Sequence, residues 1–349
     1  MLAAESKLPA LAADSLNSEA AYSWKQIVEP VEPFLEAVHA RLARQVKEFD
    51  ADLEPYAEYA LNGNGKHLRA ALVAMAGNTL GKTTDSHVTA AVIIEMVHLA
   101  TLVHDDVMDE SEIRRGRPTL AANWGNEIAV LFGDCLFAQA LKLAAGFPTP
   151  EICRAVAMAT NTVCSGEILQ TQRRGNLQLS QGDYFRMLEM KTAELFALSC
   201  DLAAFLSGAS VAQRSAFRQF GLAFGIAYQI YDDCLDLFGS ESVAGKSLGT
   251  DLEKGKLTLP VLLLWERADK ADRARLEKLI QNWQPKAFVQ VKALLAKYET
   301  LEPSLESIEH YLNKARQMLR AFPESQGRAG FLGLTDYLVR QSEALSGCS

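Results

Sequence analysis

The 349-residue chain has no surplus of positive charge: 35 lysines and arginines stand against 43 aspartates and glutamates, a net charge of −8. A protein that coats nucleic acid is excluded on this ground, because a phosphate backbone must be neutralised by excess cations. Any anion the protein binds is held locally. Long uncharged apolar runs are also scarce. Residues 219–231 stop at Asp232, and 202–212 follow Asp201. Both fall short of the roughly 18 residues of a membrane helix, so no transmembrane segment is expected. Residues 1–14 lack the basic region and long apolar core of a secretory signal. The six cysteines, Cys135, Cys153, Cys164, Cys200, Cys234 and Cys348, form no C-x-x-C pair, which predicts reduced thiols in a cytoplasm.

Strand signals are missing too. No run of alternating β-branched residues bounded by turn signals stands out, whereas apolar residues recur at three and four positions almost throughout. The pattern predicts an all-α fold with helices over residues 21–50, 67–80, 86–109, 119–145, 150–171, 181–207, 212–238 and 256–268, and shorter ones up to 341. Breaks fall at Asn62-Gly63-Asn64-Gly65, Gly116-Arg117-Pro118, Gly146-Phe147-Pro148, Arg174-Gly175-Asn176 and residues 239–255. No linker and no period of 20 to 50 residues divides the chain, so residues 21–349 read as one domain behind a weakly patterned, mobile segment of residues 1–20. Residues 90–103 and 221–231 are apolar on most of their circumference, the mark of central helices.

Each of those two helices ends in acid. The first runs into His104-Asp105-Asp106-Val107-Met108-Asp109, and the second into Tyr231-Asp232-Asp233-Cys234-Leu235-Asp236. At 100° and about 1.5 Å per residue, Asp105 and Asp109 lie about 40° apart around the axis and about 6 Å apart along it. One such D-D-x-x-D could be a solvated helix end; the repeat of the spacing on a second apolar helix argues for function. Side by side, the helices would bring six carboxylates to one cavity mouth. A charge pair at about 4 Å there interacts by about 4 kcal/mol at an effective dielectric near 20, which calls for cations. Oxygen-only ligands favour Mg²⁺ over Zn²⁺, and Mg²⁺ shares its shell with phosphate oxygens, so the implied ligand is a phosphate or diphosphate bridged by metal.

Basic residues complete an anion site. Lys66 and Arg69 follow Gly65 at a helix start, Arg114 and Arg115 follow the first acidic cluster, Lys191-Thr192 lies in an apolar helix, and Lys246 and Lys256 flank the loop beyond the second. Neither glycine-lysine pair makes a nucleotide loop: Ala60 and Ser240 stand where its first glycine should be, and His67 where Ser or Thr should. A nucleotide-dependent kinase is disfavoured.

Taken in order, Gly65-Lys66-His67-Leu68-Arg69, residues 98–109, Arg114-Arg115-Gly116-Arg117-Pro118-Thr119, Gly166-Glu167-Ile168-Leu169-Gln170, Lys191-Thr192, residues 228–236, residues 245–252 with Gly255-Lys256, and Tyr337-Leu338-Val339-Arg340 resemble the trans-type polyprenyl diphosphate synthases. The resemblance implies an isoprenoid-synthase bundle around an apolar cavity, a homodimer, Mg²⁺, and head-to-tail condensation of isopentenyl diphosphate onto an allylic diphosphate. By position it gives Lys66, Arg69, His98 and Arg115 to isopentenyl diphosphate, and Arg114, Lys191, Thr192, Gln229, Lys246 and Lys256 to the allylic diphosphate. Asp105, Asp109, Asp232 and their neighbours Asp106, Asp233 and Asp236 would serve metal binding and catalysis. The departure is His67, where the family usually has arginine.

A growing chain must run back along the helix that ends in Asp105, past Thr101 and Ala100. Both are small where short-chain members tend to carry an aromatic block, so a long product is expected, with Met96, Val97 and residues 132–136 setting its depth. A class I terpene cyclase would not need the second set of bases. A noncatalytic partner subunit usually loses aspartates, and all six are present.

Overall fold

A computed structural model describes residues 23–62, 65–240 and 247–347. The segment 1–20, the loop residues Gly63 and Asn64, Lys246 and Cys348 lie outside the described residues. The anticipated helix over 21–50 is broken. A capping box between Ser23 and Gln26 starts α1 (Trp24–Val28), and Pro30 and Pro33, which lack a backbone N–H, separate it by a 3₁₀ turn from α2 (Glu32–Gln45). Two further 3₁₀ turns lead to α3 (Glu54–Leu61), which the periodicity did not single out; Pro55 stands at its start.

The core follows with α4 (Leu68–Thr79) and α5 (Asp85–Met108). A two-stranded ribbon, β1 (Ile113–Arg114) and β2 (Arg117–Pro118), is the one departure from helix among the described residues. The expected helix over 119–145 splits at Gly125, whose φ of 89° no ordinary side chain favours, into α6 (Leu120–Trp124) and α7 (Asn126–Ala145). Then come α8 (Pro150–Gln172), α9 (Gln181–Leu188), a π-helical turn over Glu189–Ala193, α10 (Glu194–Leu206) and α11 (Val211–Phe238). The chain ends with α12 (Thr250–Glu253), α13 (Leu259–Arg267), α14 (Lys270–Gln281), α15 (Ala287–Lys297), α16 (Leu301–Leu319) and α17 (Gln326–Ser346).

Helix α5 is surrounded by α2, α4, α7 and α10, because it is apolar all round: Val92, Ile93, Ile94, Met96, Val97 and Ala100 are all buried. By length and mean hydropathy α5 and α7 are long and apolar enough to cross a membrane, a test that the buried core helix of a bundle passes as well. Averaged hydropathy tolerates the isolated charges Glu95 and Asp134. The apolar stretch of α5 is 67% buried within the bundle, that of α7 only 39%. The five described cysteines are unpaired, in line with the expected thiols.

Helix α11 lies between α10 and α16. Its Phe217 and Phe220 meet Phe331 of α17 at ring-centroid distances of 5.8 and 4.6 Å, and Phe224 meets Phe196 of α10 at 5.9 Å. This fully buried cluster anchors the second acidic helix. Phe331→Ala is expected to lower stability by about 3–5 kcal/mol, read as a drop in the urea midpoint at unchanged m-value.

Candidate active site

The last turn of α5 presents its three carboxylates to different neighbours. Asp109 accepts from Lys256 Nζ at 2.6 Å and Arg174 Nη2 at 2.9 Å, with Lys254 Nζ 3.5 Å away. Burial raises the Asp109 pKa, but the charge and hydrogen bond of Lys256, then Lys254 and Lys191, outweigh it and hold the carboxyl below its ordinary value. Asp105 lies 3.8 Å from Lys191 Nζ, and there burial wins and the pKa is raised. Lys191 also pairs with Glu167 and donates to Gln170 Oε1 at 2.8 Å. The carboxylates around Lys191, led by Asp105 and Glu167, overcome its burial and raise its pKa. Asp106 is buried and accepts from Arg114 Nε at 2.7 Å.

The π turn joins this end to the other. Lys191 reaches Asp105, while the next residue, Thr192, donates its hydroxyl to Gln229 Oε1 at 2.9 Å, and Gln229 Nε2 donates to Asp233 Oδ1 at 2.8 Å. A π turn inserts one residue into the helix, which lets adjacent side chains serve two neighbours. The acidic ends of α5 and α11 therefore face a common set of polar groups.

The six carboxylates do not all turn to one mouth, however. Asp233 is buried with its second oxygen taken by Tyr184 Oη at 2.6 Å; burial and Asp251 push its pKa well up, while its hydrogen bonds from Tyr184 and Gln229 pull the other way. Asp236 accepts from the Thr250 hydroxyl at 2.9 Å and from the amides of Thr250 and Asp251, each at 3.2 Å. The reason is electrostatic. Buried like charges cannot share a small volume, so Asp106, Asp233 and Asp236 are satisfied by donors of their own.

A second, cationic cluster lies where α4, α5 and the ribbon meet. His98 is flanked by Arg69, Arg115, Arg114 and His67; burial first, then those charges, drive its pKa well below the ordinary value, so it stays neutral. Arg69 lies over the Phe196 ring at 4.6 Å, and Lys66 lies 5.7 Å from the Trp24 ring. Gly65 lies close under the Arg115 guanidinium: a Cβ there would stand 2.7 Å from Arg115 Nη1 and would shift the end of that side chain. Tyr228 links the clusters, because Asp232 on one side and Arg69 and Arg115 on the other all act on its hydroxyl. Ala100 is fully buried, and the Thr101 hydroxyl donates to the His98 carbonyl at 2.7 Å. Lys246 is outside the described residues.

Sequence reasoning missed Arg174, Lys254, Tyr184 and Glu95. The loops carrying the first two are tied by a Gly175 N–H to Gly255 carbonyl bond of 2.8 Å, across 80 positions of chain that no local pattern connects.

An all-α bundle carrying two acidic helix ends beside a cationic cluster belongs to the class of helical enzymes that act on organic diphosphates. The family model described as "Polyprenyl synthetase" matches residues 50–298, and the chain belongs to that family. It is a prenyltransferase in the long-chain branch of the trans-polyprenyl diphosphate synthases. The octaprenyl diphosphate synthase of Haemophilus influenzae is 30% identical over 310 residues, covering 88% of this chain and 94% of the relative. Component 2 of the heptaprenyl diphosphate synthase of Bacillus subtilis is 34% identical over 283 residues, 81% of each chain. Among solved structures, a polyprenyl synthase from Caulobacter crescentus, complexed with calcium and isoprenyl diphosphate, superposes with a TM-score of 0.86 at 33% identity, covering 92% of this chain and 99% of that one. A decaprenyl diphosphate synthase from Rhodobacter capsulatus gives 0.85 at 32% identity, with 91% and 99% covered.

Proposed function

We propose that this chain condenses isopentenyl diphosphate head-to-tail with an allylic diphosphate, geranyl, farnesyl or geranylgeranyl, to give a long all-trans polyprenyl diphosphate and free diphosphate. The observation that carries the reading is the Lys191-Thr192 turn, which touches Asp105 on one side and the Gln229–Asp233 pair on the other. Arg114, Lys191, Thr192, Gln229, Lys246 and Lys256 bind the allylic diphosphate in this reading; Lys66, Arg69, His98 and Arg115 bind isopentenyl diphosphate.

The donor chemistry suits a hard divalent cation, although among the described residues no three acidic, histidine or cysteine side chains are grouped to hold one, so the diphosphate itself would complete the shell. Asp105 and Asp109 offer oxygen only, and lysine and arginine cations already stand against them. Asp105, Asp109 and Asp232 would hold Mg²⁺, which when bound stabilises the charge gathering on the leaving diphosphate. The Caulobacter relative was solved with calcium and isoprenyl diphosphate, which supports a divalent ion beside a diphosphate in this fold. Lys191 and Lys256 add cationic stabilisation as the allylic C–O bond breaks. The isopentenyl double bond then attacks the allylic carbon, a C–C bond forms, and the proton adjacent to the new cation passes to the released diphosphate. The apolar walls of α5 and α11 keep water from the cation. His98, held neutral, offers a hydrogen bond to the incoming diphosphate without adding repulsion among the arginines.

A second copy of the chain suits the face of α7 and α8, where Val130, Leu131, Leu141, Met158 and Ile168 are exposed. The name of the Bacillus relative, "component 2", supports a second reading, an enzyme that works only with a different subunit. Purified protein incubated alone with Mg²⁺, isopentenyl diphosphate and farnesyl diphosphate decides between them: elongated product is expected, and its absence would favour the two-component enzyme. In the same assay Ala100→Phe should shorten the product, because its ring would stand about 7.5 Å along α5 from Asp105, in the path of the growing chain. An unchanged length distribution on chromatography would refute that path.

A further inference from the structure

Asp109 faces more positive charge than one carboxylate can answer. Lys256 Nζ stands 2.6 Å and Lys254 Nζ 3.5 Å from one of its oxygens, and Arg174 Nη2 stands 2.9 Å from the other. Lys256 already has a place in the condensation, while Arg174 and Lys254 do not. They also sit differently. The Asp109 and Lys256 side chains are 9% and 12% exposed, whereas those of Arg174 and Lys254 are 28% and 26% exposed, so the last two are within reach of a molecule arriving from solvent.

The backbone brings both to this place. Arg174 lies one turn past Gln170, just beyond the end of α8, and Lys254 closes α12. Each is followed by a glycine in the left-handed region, Gly175 at φ 72° after Arg174 and Gly255 at φ 68° after Lys254, and the Gly175 N–H donates to the Gly255 carbonyl at 2.8 Å. Two turns far apart in sequence are thus pinned together so that an arginine and a lysine converge on one aspartate. Gln170, Arg174 and Lys256 line a small cavity there, and the buried Nε of Arg174 has no hydrogen-bond partner. A buried donor without an acceptor is rare in a native protein and calls for a ligand oxygen. Stability alone is a weak reason for the cluster, because partly exposed ion pairs contribute little to it.

We infer that Arg174 and Lys254 are resident counter-cations of Asp109 that become additional ligands of the allylic diphosphate. They neutralise the buried carboxylate in the free protein, leave it when a divalent cation takes its oxygens, and turn to the phosphate oxygens that arrive with that cation. The exchange follows from charge: a metal ion, a guanidinium and an ammonium cannot share the same two oxygens, and diphosphate supplies the acceptors that both side chains then need. Long side chains on pinned turns can make this move without any change in the backbone. The inference rests on the reading of Asp109 as a metal ligand of the allylic site.

Two calorimetric titrations of the full chain, without isopentenyl diphosphate so that nothing condenses, test it on the wild type, Arg174→Gln and Lys254→Gln. One uses Mg²⁺ alone, the other farnesyl diphosphate in excess Mg²⁺. Each substitution is expected to weaken farnesyl diphosphate binding by roughly tenfold, the ordinary effect of losing one hydrogen bond to a charged group. Each should also tighten Mg²⁺ binding, because a competitor for Asp109 is gone. The opposite signs identify the exchange, since a residue that only supports the fold would weaken both or neither. Arg174→Lys, which keeps the charge, should recover much of the farnesyl diphosphate affinity. In steady state the KM for farnesyl diphosphate should rise while that for isopentenyl diphosphate stays. Unchanged farnesyl diphosphate affinity, or Mg²⁺ affinity that does not rise, overturns the proposal; should Lys254→Gln fail to fold, Arg174→Gln decides alone. The expected pattern of binding with no elongated product once isopentenyl diphosphate is added would instead sink the synthase reading and leave the exchange standing.

Discussion

Asp105→Asn is expected to lower kcat by roughly 10²–10³-fold, the usual consequence of removing one preorganised group that stabilises transition-state charge. The cause is local. Asp105 is one of two carboxylates one helical turn apart on α5, and it stands 3.8 Å from Lys191 Nζ, whose neighbour Thr192 reaches the other acidic end. Asparagine keeps the shape and removes the charge. Lys191 retains Glu167 and Gln170, so the fold should survive. The sign of the stability change follows from burial, which raises the Asp105 pKa above its unfolded value. An aspartate of that kind binds its proton more tightly when folded, so its ionised form opposes folding at neutral pH, and the penalty fades as pH falls through the raised pKa. The variant should therefore melt at or above the wild-type temperature at pH 7, with the difference shrinking in acid. Steady-state kinetics with both diphosphates, together with thermal melts at two pH values, check both halves. Full activity, or a large fall in melting temperature, would show that Asp105 serves the fold or nothing at all rather than the departing diphosphate.

Gly225→Val should damage stability and catalysis together, from a position that bears no functional group. A Cβ at Gly225 would stand 2.6 Å from Ala193 Cα, 2.9 Å from its Cβ and 3.2 Å from the Phe196 ring. The end of the π turn and α11 touch backbone to backbone there, and α10 and α11 do so at Gly221, where a Cβ would meet the Ala197 backbone at 2.5 Å. Valine must push the helices apart, and overpacking of a tight core typically costs about 1–3 kcal/mol. Four residues further along α11 is Gln229, and just before Ala193 is Thr192, so the displacement opens the hydrogen bond that ties the π turn to the second acidic end. A misplacement of about 1 Å at a reacting centre can cost roughly 10²-fold in rate. Urea unfolding and kcat should fall in the same variant; a loss of stability with kcat intact would show that this tie does not position the site.

The residues that would carry the chemistry were legible because they are chemically conspicuous. Two D-D-x-x-D runs at the ends of apolar helices, with lysines and arginines at turns nearby, need no coordinates to be noticed. Helix identity was legible for the same reason, since periodicity is local: the ends of α4, α5, α8 and α11 fall within a residue or two of their expected places. Boundaries failed where one residue's backbone chemistry overrides the pattern, as at Pro30, Pro33 and Gly125. The π turn over Glu189–Ala193 is invisible to an average period of 3.6, because a single inserted residue shifts the pattern less than its scatter.

Residue types and their order along the chain determined by themselves the all-α class, the two acidic ends and the inventory of cations. Tertiary structure alone decided how the carboxylates divide their work: Asp105 and Asp109 against lysines and an arginine, Asp106 held by Arg114, and Asp233 and Asp236 engaged by Tyr184, Gln229 and the Thr250–Asp251 turn. Identical side chains at identical spacing differ in role because desolvation and partner charge are set by groups tens of residues away in sequence.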